Sequence, residues 1–132
     1  MKTKLTAFIL LIAFIFNSSC SNKPPDEFYG IWEGDISFRG NPTVKTNLSL
    51  DISSTGNPVT GTYVLGSGAN AVQGTISGSA LGLINTLTLK PKTAGVTYTI
   101  NGNWDGKDAF TGTMNGVENG KTVIYDMNLR RK

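Results

Sequence analysis

The sequence predicts an all-β domain, an eight-stranded antiparallel up-and-down β-barrel, and three observations carry that prediction. Val44, Thr46, Leu48, Leu50 and Ile52 alternate with Lys45, Asn47, Ser49 and Asp51, the two-residue period of a strand with one buried face. The beat returns in Tyr98-Ile100-Trp104, in Phe110-Met114 and in Val123-Tyr125-Met127-Leu129, and no window after position 28 has helical periodicity. Turn chemistry separates the runs: Gly40-Asn41-Pro42, Gly56-Asn57-Pro58, Gly66-Ser67-Gly68, Asp105-Gly106 and Asn119-Gly120. Glycine is the third sign. All 16 glycines fall after position 28, and many lie inside the alternating runs, where glycine permits the bulges and bends a small barrel needs to close. A closed meander has no exposed edges; the alternative is an open sandwich.

Taken in order, the chain begins with a segment that is not part of that domain. Lys2 and Lys4 precede Leu5–Phe16, twelve residues interrupted only by Thr6. Twelve helical residues rise about 18 Å against a hydrocarbon core of ~30 Å, so residues 1–19 read as a signal peptide rather than a span. The small residues Ser18-Ser19 directly before the lone Cys20 resemble the lipobox of bacterial lipoproteins, although Asn17 stands where an apolar residue is usual. That resemblance implies cleavage before Cys20, lipidation of its thiol by acyl chains such as palmitate, and a membrane anchor in the bacterial cell envelope. Ser21 after the cysteine resembles lipoproteins passed on to the outer membrane in Gram-negative bacteria. The alternative is an ordinary secretory signal followed by an incidental cysteine. Residues 20–27 then form a short polar tether stiffened by Pro24 and Pro25.

The barrel domain spans 28–132, with strands expected near 29–38, 43–53, 59–65, 70–78, 83–90, 96–104, 109–117 and 121–131. Asn119-Gly120 is the strongest hairpin signal, because Asn and Gly both tolerate the positive φ of a type I′ turn. Inward parity collects Trp32, Ile36, Leu48, Leu50, Tyr63, Leu65, Val72, Ile76, Leu87, Leu89, Tyr98, Ile100, Trp104, Phe110, Met114, Tyr125 and Met127, with Leu129 on the same face.

Composition narrows the chemistry. The formal charge of +3 includes Lys2 and Lys4; without them the chain carries about +1, which disfavours nucleic acid as a partner. There is no His and a single Cys, which removes Ser–His and Cys–His nucleophiles, His-bearing zinc sites and intrachain disulfides. The inward list holds no acid, and no two carboxylates share the inward parity, so paired-carboxylate hydrolysis is unsupported. We therefore expect no enzyme, no catalytic residue, no cofactor and no metal. Asp105-x-x-Asp108 reads as a solvated hairpin tip, and Glu33 and Asp126 as outer-face neighbours paired to cations.

Gly30-Ile31-Trp32 resembles the G-x-W signature of the calycins, the group that holds lipocalins and avidins. The resemblance implies that Trp32 closes one end of the barrel and that a basic residue of the last strand packs over it, for which parity selects Arg131. Thr60-Gly61-Thr62-Tyr63, Gln73-Gly74-Thr75, Asn103-Trp104 and Phe110-Thr111-Gly112 are similar to avidin segments. Of the avidin ligand residues only Tyr63 and Trp104 have counterparts: Gly34, Lys107-Asp108-Ala109 and Asn128 replace others, so biotin is not the implied ligand.

Two functions follow. In one, Tyr63, Tyr98, Trp104 and Tyr125 line a cup for a small, mostly apolar ligand. In the other, the barrel is filled and serves as an interaction or inhibitor-like module for an envelope protein. Inward glycines at 34, 61, 74, 78, 102, 112 and 116 fit both, either leaving room for a ligand or seating the large aromatics. A homo-oligomer through outward Val64, Ile84 and Ile124 is a further partner expectation.

Overall fold

The structure is a computed structural model that describes residues 28–55 and 58–132. The signal peptide, Cys20, the tether and the Gly56-Asn57 turn lie outside the described residues.

Eight strands follow one another: β1 (Gly30–Phe38), β2 (Lys45–Ser54), β3 (Val59–Leu65), β4 (Val72–Leu81), β5 (Ile84–Pro91), β6 (Tyr98–Trp104), β7 (Ala109–Glu118) and β8 (Lys121–Arg131). Each pairs antiparallel with the next, and β1 pairs with β8 to close the barrel in the order β1-β2-β3-β4-β5-β6-β7-β8. This is the up-and-down architecture the alternation predicts, and it is consistent with a calycin-like fold. One short 3₁₀ turn, Gly68–Asn70, interrupts the β3–β4 connection.

The alternation explains which face goes inside. Leu48, Leu50, Ile52, Leu87, Leu89, Ile100 and Met114 are all essentially inaccessible to solvent, while Thr60, Thr62, Thr75, Thr86, Asn101 and Asn103 face out and are exposed. An apolar lumen under a polar outer wall is the reverse of a membrane-spanning barrel, whose lipid-facing wall is the apolar one. Burial of these side chains at ~1.5–3 kcal/mol each supplies the driving force for folding.

Because successive strands run in opposite directions, the barrel has two distinct ends. The entry end carries residue 28, the β4–β5 and β6–β7 turns and the C-terminal residues. The distal end carries the β1–β2, β3–β4 and β5–β6 connections and the β7–β8 turn. Asn119 (φ 50°) and Gly120 (φ 76°) form the two-residue distal hairpin, with both residues in the positive-φ region that the Asn-Gly pair tolerates.

Three expectations change, and one buried residue was not anticipated. β4 runs on to Leu81 instead of stopping near 78, because Gly82 (φ 61°) lets a two-residue hairpin pair Leu81 with Ile84. Val72 keeps its inward parity but is 39% exposed, since it opens β4 at the distal rim opposite Leu65. Glu33 and Asp126 are not neighbours: Glu33 pairs in register with Arg130, and Asp126 with Ser37. Each still meets a cation, Glu33 the ammonium of Lys132 and Asp126 the guanidinium of Arg39. Finally, Phe28 precedes the first strand yet is buried.

Candidate functional site

The entry end is closed by packed rings. Gly30 takes φ 110°, a conformation that side-chain-bearing residues rarely adopt, and the chain before it turns across the barrel axis. Phe28 then stacks on Trp32 at 5.1 Å and meets Phe110 edge-on at 4.7 Å, with Trp104 at 5.9 Å. The polar atoms of this plug are satisfied. The Trp32 indole donates to the Phe28 carbonyl at 3.0 Å, and the Trp104 indole to the Lys107 carbonyl at 3.1 Å. Arg131 covers the plug: its guanidinium carbon stands 4.7 Å from the Trp32 ring centroid and 5.8 Å from that of Trp104. Its Nε donates to the Lys107 carbonyl and its Nη1 to the Tyr29 carbonyl, so this cation is held both by π faces and by backbone oxygens.

The adjoining β6–β7 turn is braced by Asp105, whose Oδ1 accepts the backbone N–H of Lys107 at 2.8 Å and of Ala109 at 3.1 Å. These bonds, that from Ala109 foremost, hold its carboxyl below the usual carboxylate range. Asp108 lies 3.6 Å from Arg130. The Asp105-x-x-Asp108 pair is thus engaged in building the turn and an exposed ion pair.

The distal end is built from different chemistry. Tyr98 at the start of β6, Tyr125 on β8 and Glu118 at the end of β7 meet there. Both hydroxyls donate to the same Glu118 oxygen, Tyr98 at 2.6 Å and Tyr125 at 2.9 Å, with the two rings edge to face at 6.3 Å. Burial first, and the carboxylate acceptor second, push the Tyr125 phenol up to about 12 and the Tyr98 phenol higher still. Both therefore remain protonated donors through the neutral range. Below them Tyr63 is 1% exposed, and its hydroxyl has no hydrogen-bond partner among the described residues. Beside the cluster opens a cleft of about 420 Å³, lined by Val44, Leu65, Val72 and Tyr125 with Thr46 and Asn70 among its polar groups.

The four residues expected to share one cup are therefore divided. Tyr98 and Tyr125 stand together at the distal rim with Tyr63 inside, whereas Trp104 is part of the entry plug. Trp32 and Arg131 sit at that plug as one unit. Sequence reasoning missed Glu118, and its statement that the inward face lacks an acid is corrected here. The parity Phe110, Gly112, Met114, Gly116 continues to Glu118, so the signal was present one position past the expected end of the strand at 117.

The inward glycines seat rings and neighbouring strands. A Cβ on Gly74 would lie 2.6 Å from the Tyr63 ring, and one on Gly116 2.6 Å from that of Tyr98; on Gly102 it would run into Phe110. At Gly61, Gly78 and Gly112 it would strike a carbonyl oxygen of the adjacent strand. These positions are filled by close approach rather than held open for a ligand. Compared with known protein families, curated proteins and solved structures, the chain matches none of the three.

Proposed function

We propose that this protein is an exported, lipid-anchored envelope lipoprotein, attached through Cys20, whose barrel binds a small and mostly apolar ligand at its distal end. The observation that carries the reading is the cleft of about 420 Å³ beside the Tyr98–Glu118–Tyr125 cluster. Its size falls within the range of small-molecule sites, and its lining is the usual mixture of apolar walls with a few polar groups that fix orientation. Leu65, Val72 and the Tyr125 ring supply the walls. Thr46 and Asn70 supply the hydrogen-bonding groups, while the Tyr63 hydroxyl, buried without a partner among the described residues, lies in the interior beneath the cleft. The filled interior below makes the barrel a pedestal for this site rather than a deep cup. No step of covalent chemistry is assigned to it.

The same filled interior favours a second reading, in which the distal rim contacts an envelope protein through exposed Val44, Val72 and Val117. Native mass spectrometry of the full chain, purified from its own host in mild detergent, separates the two. A bound small mass that is lost on unfolding, and lost again in Tyr125→Ala but kept in Asp105→Ala, supports the ligand site. A bare chain, or equal loss in both variants, overturns it and leaves the protein-contact reading.

A further inference from the structure

We infer that the entry end of the barrel is a membrane-docking face that seats the β4–β5 hairpin tip in the lipid interface. Eight large apolar residues are exposed among the described residues, and five of them are at this end: Tyr29, Ile31, Leu81, Leu83 and Ile84. The remaining three, at the distal end, are all valines. Leu81 and Ile84 form a cross-strand pair facing outward on either side of Gly82-Leu83, and their exposures are 72% and 61%, with Leu83 at 52%. Three large aliphatic side chains on a two-residue hairpin are an unusual load for a tip that meets only water. The hairpin is held firmly in place, because the Leu83 carbonyl accepts the Trp104 backbone N–H at 2.8 Å and the Asn85 amide at 3.3 Å. Tyr29 and Ile31 stand on β1 and its approach, three strands from β4 and four from β5 around the barrel, so the apolar residues bracket the plugged end on both sides.

The occupant follows from where the preceding chain enters. Phe28 lies at this end, and from Cys20 to Phe28 the chain can reach at most about 26–29 Å. The docking face rests on the proposed anchoring at Cys20, and with that anchor the entry end is the part of the barrel held against the bilayer. Tyr29 is of the amphipathic aromatic type found at the membrane–water boundary. Charge is not the driving force. Lys107, Arg130, Arg131 and Lys132 share this end with Glu33, Asp51, Asp105 and Asp108, which leaves the rim near neutral. Docking is therefore expected to resist added salt, and to depend on apolar burial.

The test uses the acylated full chain, purified in detergent and reconstituted into phosphatidylethanolamine–phosphatidylglycerol vesicles carrying nitroxide lipids. Intact mass first reports whether Cys20 is acylated. An environment-sensitive label at Leu83→Cys should be quenched several-fold more than the same label at Val117→Cys on the distal hairpin, at low and high salt alike. In a chain carrying Leu83→Ser and Ile84→Ser, a label at Lys107→Cys should fall to the Val117 level. The substituted side chains are more than half exposed, and unchanged tryptophan emission from the entry plug shows that the barrel is intact. Equal quenching at 83 and 117 in an acylated chain overturns docking and leaves the anchor standing. A chain without acyl mass overturns the anchor; preferential quenching at 83 would then still support docking, and its absence would overturn it. A dimer by native mass that Leu83→Ser dissolves also overturns the proposal, assigning the tip to a second copy of the chain.

Discussion

The two ends of this barrel are closed by opposite strategies. At the entry end four aromatic rings, Phe28, Trp32, Trp104 and Phe110, fill the bore, both indole N–H groups are bonded to backbone carbonyls, and Arg131 covers the stack. At the distal end three tyrosines and Glu118 replace the apolar rings, and a cleft opens beside them. Indoles whose N–H groups are satisfied internally leave nothing for a partner to recognise, so the plug acts on stability. Phenols tied to a half-buried carboxylate still present oxygen lone pairs, which suits the distal cluster to the proposed ligand site. If that contrast is right, substitutions in the buried entry plug should cost folding free energy, and substitutions at the distal end should cost little of it.

The largest effect is expected at the centre of the plug. Trp32 is completely buried, and Trp32→Ala removes its contacts with Phe28, Phe110 and Arg131 together. We expect a loss of about 3–5 kcal/mol, a large share of a small domain's stability, read from urea unfolding followed by circular dichroism. A loss under about 1 kcal/mol would mean that the plug is not the structural end of the barrel. Arg131→Ala should come next, at ~1–3 kcal/mol, because it removes the cation over two indoles and leaves the Lys107 and Tyr29 carbonyls without that donor. Arg131→Lys should recover only part of this, since an ammonium cannot span both carbonyls as the planar fork does.

How much of this contrast was legible beforehand depends on what alternation encodes. Parity assigns a side chain to a face of the sheet but says nothing of its height along the barrel. Tyr98 and Trp104 lie on one strand with the same parity, yet six residues of strand separate them by about 20 Å. The pair therefore belongs to opposite ends, and a single cup holding both was never available. Trp32 and Arg131, by contrast, were paired through strand order as well as parity, and the register places them directly opposite each other. Phe28 carried no periodic signal because it sits outside any strand; only the left-handed turn at Gly30 brings it over the bore. Asn85 was missed for a related reason. A polar residue on the inward parity reads as a break in the pattern, although it is fully buried with its amide donating to the Leu83 carbonyl.

Alkaline pH probes the distal cluster directly. The ordinary tyrosine pKa is 10.0, and in the fold Tyr125 is pushed up to about 12 and Tyr98 beyond it. Below pH 10 both folded and unfolded chains keep these protons. Above it the unfolded chain releases protons that the folded chain retains, so stability falls as pH rises from about 10 through 12. Unfolding midpoints measured across this window should decline. Tyr98→Phe and Tyr125→Phe should each flatten the decline while changing the midpoint little at pH 7. If the wild-type slope survives both substitutions, the raised phenols do not belong to this cluster.

The smallest effect is the most telling about purpose. The Tyr63 hydroxyl is buried without a partner among the described residues, and an unmatched buried hydroxyl costs ~1–3 kcal/mol relative to one that is bonded. Tyr63→Phe deletes that oxygen and keeps the ring against Gly74. In the isolated protein it should therefore leave the unfolding midpoint unchanged or raise it slightly, the reverse of an ordinary core truncation. A ligand that satisfies the hydroxyl inverts the result. Wild type would then gain more stability from host extract than Tyr63→Phe does, because bound ligand stabilises only the state that holds it. A drop of more than about 1 kcal/mol in the isolated variant would show that the hydroxyl is already bonded within the barrel. The distal end would then be as self-contained as the entry plug, and the contrast between them would fail.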